Sequence, residues 1–221
     1  MMRAMDSRLP VSLVLGLVIW SGAVGGGTAP LTVCCAGDSL MRPIPVHLRA
    51  LAAAAGENLV VLEWAQGGLN ADTYRGFFRR CAAEGRESRC HAVLLQLGTN
   101  DAIPVLEGRE TAGEFRSRLG EILGGFLTFP GIGRPRPALL VATIPRFCES
   151  PESAAKNEIV ESVLNPIVRR AAAAAGAAVV DNHAVLRNGP GLYDPDCVHP
   201  SGEGERALAA NWWRALESIR E

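Results

Sequence analysis

From Leu31 onward, short apolar runs alternate with longer amphipathic or alanine-rich stretches, and this alternation restricts the fold more than any single residue does. The runs cover residues 31–36, 59–64, 92–97, 138–143 and 177–180. Each is almost uniformly apolar, as strands covered on both faces of a parallel sheet are. Helix candidates at 45–55, 71–81, 112–126, 153–175 and 202–219 separate and follow them. Pro166 falls inside the fourth, where its missing N–H and its ring should kink or split the helix. A strand–helix order repeated in this way predicts a doubly wound α/β domain with about five parallel strands.

The length of 221 residues allows one domain with a substantial core. A hydrophobic share of 48% against 20% charged excludes a disordered chain. The Gly/Pro-rich stretch at 131–137 is too short to link domains, and no internal repeat is visible, so residues 30–221 are read as one unit. A net charge of −1 gives no electrostatic case for a nucleic acid or an anionic membrane surface as partner.

Residues 1–29 read differently. Arg3 and Arg8 precede or begin an apolar run at 9–20, and small residues follow to Ala29. Basic, apolar and then small is the order of a secretory signal peptide, and the run is short for a bilayer span. Cleavage after Ala23 or Ala29 fits the small-residue rule, with Pro30 disfavouring the second. The expectation is a secreted or periplasmic protein, membrane-anchored through this segment if it is uncleaved, with no stable membrane insertion of the mature domain. An even number of cysteines, six, suits an oxidising compartment. Cys81 and Cys90 have the spacing to close a small loop. Cys148 and Cys197 fall in loops at the same end of the sheet, where a bridge would cross the rim of a site. Cys34 and Cys35 point to opposite faces of one strand and read as buried thiols. No CxxC pair is present, so no metal is expected.

Four segments carry chemistry, each where a predicted strand gives way to a loop: Gly37-Asp38-Ser39-Leu40, Gly67-Gly68, Gly98-Thr99-Asn100-Asp101 and Asp196-Cys197-Val198-His199. Ligands gather at the carboxyl ends of parallel strands, so Ser39 is presented where a site forms. No GxSxG elbow surrounds it. Asn100 carries a carboxamide donor suited to an oxyanion, and a backbone N–H in the Gly67-Gly68 turn is a second. His199 supplies a base whose other ring nitrogen an aspartate, Asp196 or the nearby Asp194, can hold. His47, His91 and His183 lack such a setting and read as structural. Taken singly, these motifs fit a capping serine, an Asx turn and a surface loop equally well. Their joint order does not.

Together they resemble the four blocks of the SGNH hydrolase superfamily, the GDSL-type esterases and lipases, and the likeness runs from about Leu31 to Trp213. The resemblance implies a flavodoxin-like three-layer α/β/α sandwich and a serine esterase without metal or organic cofactor. It implies Ser39 as nucleophile, His199 as base and Asp196 as its orienter, with Ser39 N–H, Gly68 N–H and the Asn100 side chain as oxyanion hole. One position departs: the second block commonly opens with Asn five residues before its glycine, and here stands Glu63. The third and fourth blocks look most like the small single-domain bacterial members, many of which deacetylate carbohydrates. No insertion long enough for a lid is present, which suggests short acyl groups on a polar alcohol, such as an acetylated sugar or another small ester. Arg146, just past the fourth strand, reads as a solvated loop residue. The rivals are an acyltransferase, a lysophospholipase or thioesterase of the same fold, and a non-catalytic glycan-binding relative. Trp212 and Trp213 read as one core ring and one surface ring.

Overall fold

Residues 29–83, 89–133, 135–187, 189 and 191–219 are described by a computed structural model; the remainder, including nearly all of the proposed signal segment, lies outside the described residues. The apolar runs form β1 (Leu31–Gly37), β2 (Leu59–Ala65), β3 (Ala92–Gln96), β4 (Ala138–Ala142) and β5 (Ala178–Val180). They pair in parallel in the order β2-β1-β3-β4-β5. Helices cover both faces, giving the flavodoxin-like sandwich expected.

Alternation along each strand sends side chains to two cores. Cys34, Ala36, Val93, Leu95 and Val141 pack with α2 (Ala71–Ala83), α4 (Ala112–Phe126) and α6 (Asn165–Ala174). Val33, Cys35, Leu94, Leu140 and Val180 pack with α1 (Ile44–Ala54) and α8 (Gly202–Ser218). The two adjacent cysteines therefore face opposite cores, as the strand period requires. A fully buried Leu or Phe in either layer contributes about 1.5–3 kcal/mol.

Three expectations need correction. Burial on both faces holds for β1, β3 and β4, but β2 and β5 are the sheet edges and leave Val60 and Val179 exposed. Trp213 is buried beside Trp212, because the last helix lies flat on the sheet and turns both indoles toward it. Cys90 is a buried free thiol, and the side chain of its proposed partner Cys81 lies outside the described residues.

Pro166 acts as expected on the fourth helix. α5 (Pro151–Ile159) runs into a π-helical turn, Val160–Leu164, before α6 begins. The Asn165 N–H donates to Val160 O, five residues back, so the ladder widens just ahead of the residue that has no N–H to give. Two short helices were not anticipated, α3 (Ala102–Leu106) and α7 (Asn182–Val185).

Candidate active site

The strand order reverses direction between β1 and β3, which opens a crevice beyond their carboxyl ends. At Gly37 β1 leaves the sheet with φ of 140°, and a Cβ there would lie 1.8 Å from the Gln96 carbonyl oxygen of β3. Only glycine lets the two backbones approach so closely. Asp38 then turns inward: its N–H donates to Gln96 O at 3.1 Å, and its Oδ1 accepts the Leu40 N–H at 3.0 Å. Complete burial pushes the Asp38 carboxyl up to about 6, against the pull of the Leu40 and Thr99 hydrogen bonds. The cap starts a single 3₁₀ turn, Ser39–Met41, that holds Ser39 at the mouth of the crevice.

Across from it, the segment ahead of α8 brings His199 to the serine. His199 Nε2 lies 2.9 Å from Ser39 Oγ, and His199 Nδ1 lies 2.6 Å from Asp196 Oδ2. The other carboxylate oxygen, Oδ1, accepts the Val198 and His199 N–H groups, both at 2.9 Å. Those bonds, the one to the imidazole foremost, hold the Asp196 carboxyl down at about 2. An ionised carboxylate only accepts, so Nδ1 carries the hydrogen and Nε2 offers its lone pair to the serine hydroxyl. The ring nitrogen pairs with Asp196 and not with the nearby Asp194, whose N–H donates to His199 O at 2.8 Å and closes the loop.

The second and third segments meet beside Ser39. A Cβ at Gly67 would stand 3.7 Å from Ser39 Cβ, which sets the Gly67-Gly68 turn against the serine. Asn100 Nδ2 donates to Leu69 O at 3.0 Å, and its second hydrogen remains. Asp101 accepts the Ala71 N–H on both oxygens, at 2.9 and 3.1 Å, and so caps α2. Burial pushes the Asp101 carboxyl up to about 8, with Glu110 and Asp38 adding to the rise. The Gly68 turn has supports of its own without an Asn at position 63. Glu63 turns to Arg49 at 2.9 Å, and the Gly68 turn is braced instead by Asn100, Asp101 and a Gln66 N–H donated to Gly37 O.

The sequence profile of the GDSL-like lipase/acylhydrolase family matches residues 32–207. The chain belongs to that family. This GDSL-like protein is a carboxylic ester hydrolase by membership. A search of curated proteins returned no similar sequence. Its fold is shared with a lipase/acylhydrolase from Enterococcus faecalis, at 20% identity and a TM-score of 0.68 over 86% of this chain and 96% of that one. It is shared equally with an acetylxylan esterase from Geobacillus stearothermophilus, at 16% identity and a TM-score of 0.66 over 86% and 94%. A Pseudoalteromonas esterase inhibited by monoethylphosphonate aligns at 13% identity with a TM-score of 0.64 over 85% and 97%. At such identities these likenesses establish the architecture alone.

A groove of about 510 Å³ opens beside Ser39 and His199, lined by Arg42, Glu63, Asp194 and Glu205 among others. Sequence reasoning did not single out Arg42 or Glu205. Arg42 follows Ser39 by three residues and was legible only from that spacing; Glu205 comes in on the first turn of α8, held by His47 at 3.1 Å. Arg146 is not in this groove. It lines a neighbouring one with its Nε buried and unpartnered, 3.8 Å being the distance of its nearest carboxylate, Glu149. His91 accepts the Thr32 N–H at 2.9 Å, and His183 is buried against Asn165 and Ile144 O. Among the described residues, no group of three or more His, Cys, Asp or Glu side chains is placed to hold a metal ion.

Proposed function

We propose that this hydrolase cleaves short acyl esters, acetyl above all, from carbohydrates or similarly polar alcohols through an acyl-enzyme on Ser39. The observation that carries the reading is the hydrogen-bonded line Ser39–His199–Asp196, with both links within 2.9 Å. His199 Nε2 takes the serine proton as Oγ attacks the ester carbonyl, and the Asp196 carboxylate stabilises the imidazolium that results. The oxyanion is held by the Gly68 N–H, the second Asn100 Nδ2 hydrogen and the Ser39 N–H, which the first position of a 3₁₀ turn leaves unpaired. The alcohol departs with the proton from His199. Water, deprotonated by the same nitrogen, then releases the acid and restores the serine.

The substrate class is supported by the groove. Arg42 donates, while Glu63, Asp194 and Glu205 accept, which is a lining suited to hydroxyl groups rather than to a long alkyl chain. The His199 and Asp196 side chains are 44% and 50% exposed, so the centre is open to a bulky alcohol on one side. Export is part of the reading, supported by the basic-apolar-small order of the first 29 residues and by a Cys148–Cys197 disulfide. The test is hydrolysis of p-nitrophenyl acetate, butyrate and octanoate with Ser39→Ala as control. Turnover should fall with chain length and vanish in the variant. Preference for octanoate would contradict the substrate class.

A further inference from the structure

The segment bearing Asp196 and His199 is held in part by bonds within itself. Cys197 N–H donates to Asp194 O at 3.0 Å, Ser201 N–H to Leu192 O at 2.9 Å, and Ser201 Oγ to Gly191 O at 2.6 Å. None of these fixes where the segment sits relative to Ser39. Besides α8, which follows it directly, and the packing of Leu192, Tyr193 and Val198 on the two cores, its placement comes from ties to one short stretch beyond β4. Tyr193 Oη donates to Arg146 O at 2.5 Å, Cys148 N–H donates to Cys197 O at 3.0 Å, and the Cys148–Cys197 disulfide closes beside them.

That stretch is itself immobilised by two buried asparagines eight residues apart. Asn157 Oδ1 accepts the Phe147 N–H at 2.8 Å and its Nδ2 donates to Phe147 O at 3.2 Å. Asn165 does the same to Ile144, at 2.7 and 3.0 Å. Each carboxamide mimics a strand partner on a loop that has none. The bridge thus runs from a rigid anchor to Cys197, the residue after Asp196 and two before His199. Cys197 is also the one non-glycine with positive φ among the described residues, at 60°. A side chain persists in that region only where its surroundings over-determine it.

We propose that the Cys148–Cys197 disulfide is a positioning element for the base, setting His199 and Asp196 against Ser39, so that turnover depends on the bridge being oxidised. The inference rests on the reading of His199 as the base of Ser39. Both cysteines line the neighbouring groove and are partly exposed. A phosphine such as TCEP supplies two electrons, breaks the S–S bond and becomes the phosphine oxide. Water gives the oxygen and the two protons of the new thiols. Freed of the link, Cys197 relaxes toward negative φ and draws the flanking Asp196 and His199 out of line.

The experiment compares oxidised protein, TCEP-treated protein and Cys148→Ser, with two readouts. One is kcat and KM for p-nitrophenyl acetate. The other is the downfield proton resonance of His199 Nδ1–H in its short bond to Asp196, which needs no substrate. Reduction, verified by a gain of two alkylatable thiols, should lower kcat about 10- to 100-fold, as a misplacement of about 1 Å does, with KM little changed. The resonance should broaden or vanish in parallel, Cys148→Ser should match the reduced protein, and TCEP should leave that variant unaffected. Should Cys148→Ser fail to fold, the reduced wild-type protein, held to an unchanged far-UV spectrum, carries the test alone. Unchanged kcat and an unchanged resonance after reduction would overturn the proposal. Absent turnover in oxidised protein whose resonance still responds to TCEP would overturn the esterase reading and leave the positioning role standing.

Discussion

Asn100 is proposed to do two things with one amide. One Nδ2 hydrogen braces the Gly68 turn through Leu69 O, and the other is the donor proposed for the oxyanion. Removing such a donor costs about 10²–10³ in kcat, whereas the brace, a single hydrogen bond, is worth about 1 kcal/mol of stability. Asn100→Ala should therefore lose turnover far out of proportion to its shift in urea midpoint. Full activity would remove Asn100 from the oxyanion hole. Asp101, its neighbour, shows the limit of motif reading at this scale. It was legible as part of a four-residue block, but its cap on the Ala71 N–H joins points 30 residues apart and has no local signature.

At the scale of elements, the third segment depends on a glycine that the sequence marked only as the first residue of that block. Gly98 has φ of 120°, and a Cβ there would meet Ile144 Cδ1 at 2.5 Å and Phe115 Cζ at 3.2 Å. Gly98→Ala should destabilise the fold by about 2 kcal/mol or more, from backbone strain and overpacking together, and should lower kcat because Asn100 rides on the same turn. A urea midpoint within error of wild type would contradict this. The main strands and helices were legible because burial on a parallel sheet writes uniform apolar runs, and amphipathic stretches of ten or more residues write a helical period. α3 and α7, five and four residues long, write neither. α3 continues the 3₁₀ turn Thr99–Asp101, and α7 starts at Asp181, whose Oδ1 accepts the Ala184 N–H at 3.3 Å. The paired asparagines Asn157 and Asn165 were equally hidden, since inside a helix pattern a buried carboxamide looks like a solvated one.

For the whole molecule, the buried carboxyls bias stability with pH. Asp101, up at about 8 when folded against 3.8 as a free side chain, binds its proton more tightly in the native state. Its contribution is complete below about pH 4 and is lost as pH rises through about 8; Asp38, at about 6, acts in the same direction over a narrower window. Asp196, held at about 2, has the opposite sign: its contribution is present above about pH 4 and is lost as pH falls through 2. Melting temperature should therefore decline between about pH 4 and 8. Asp101→Asn, which keeps an acceptor for the Ala71 N–H, should flatten the decline. An equal slope in both proteins would place the ionisation elsewhere.

The proposed function requires the serine at the mouth of the β1–β3 crevice to be a nucleophile activated by His199. Intact-protein mass spectrometry after exposure to a serine-directed phosphonate tests it most directly, followed by peptide mapping. One adduct per chain on Ser39, slowed strongly in His199→Ala, is the expected result. A folded protein that takes no adduct, or takes it on another serine, would contradict the account.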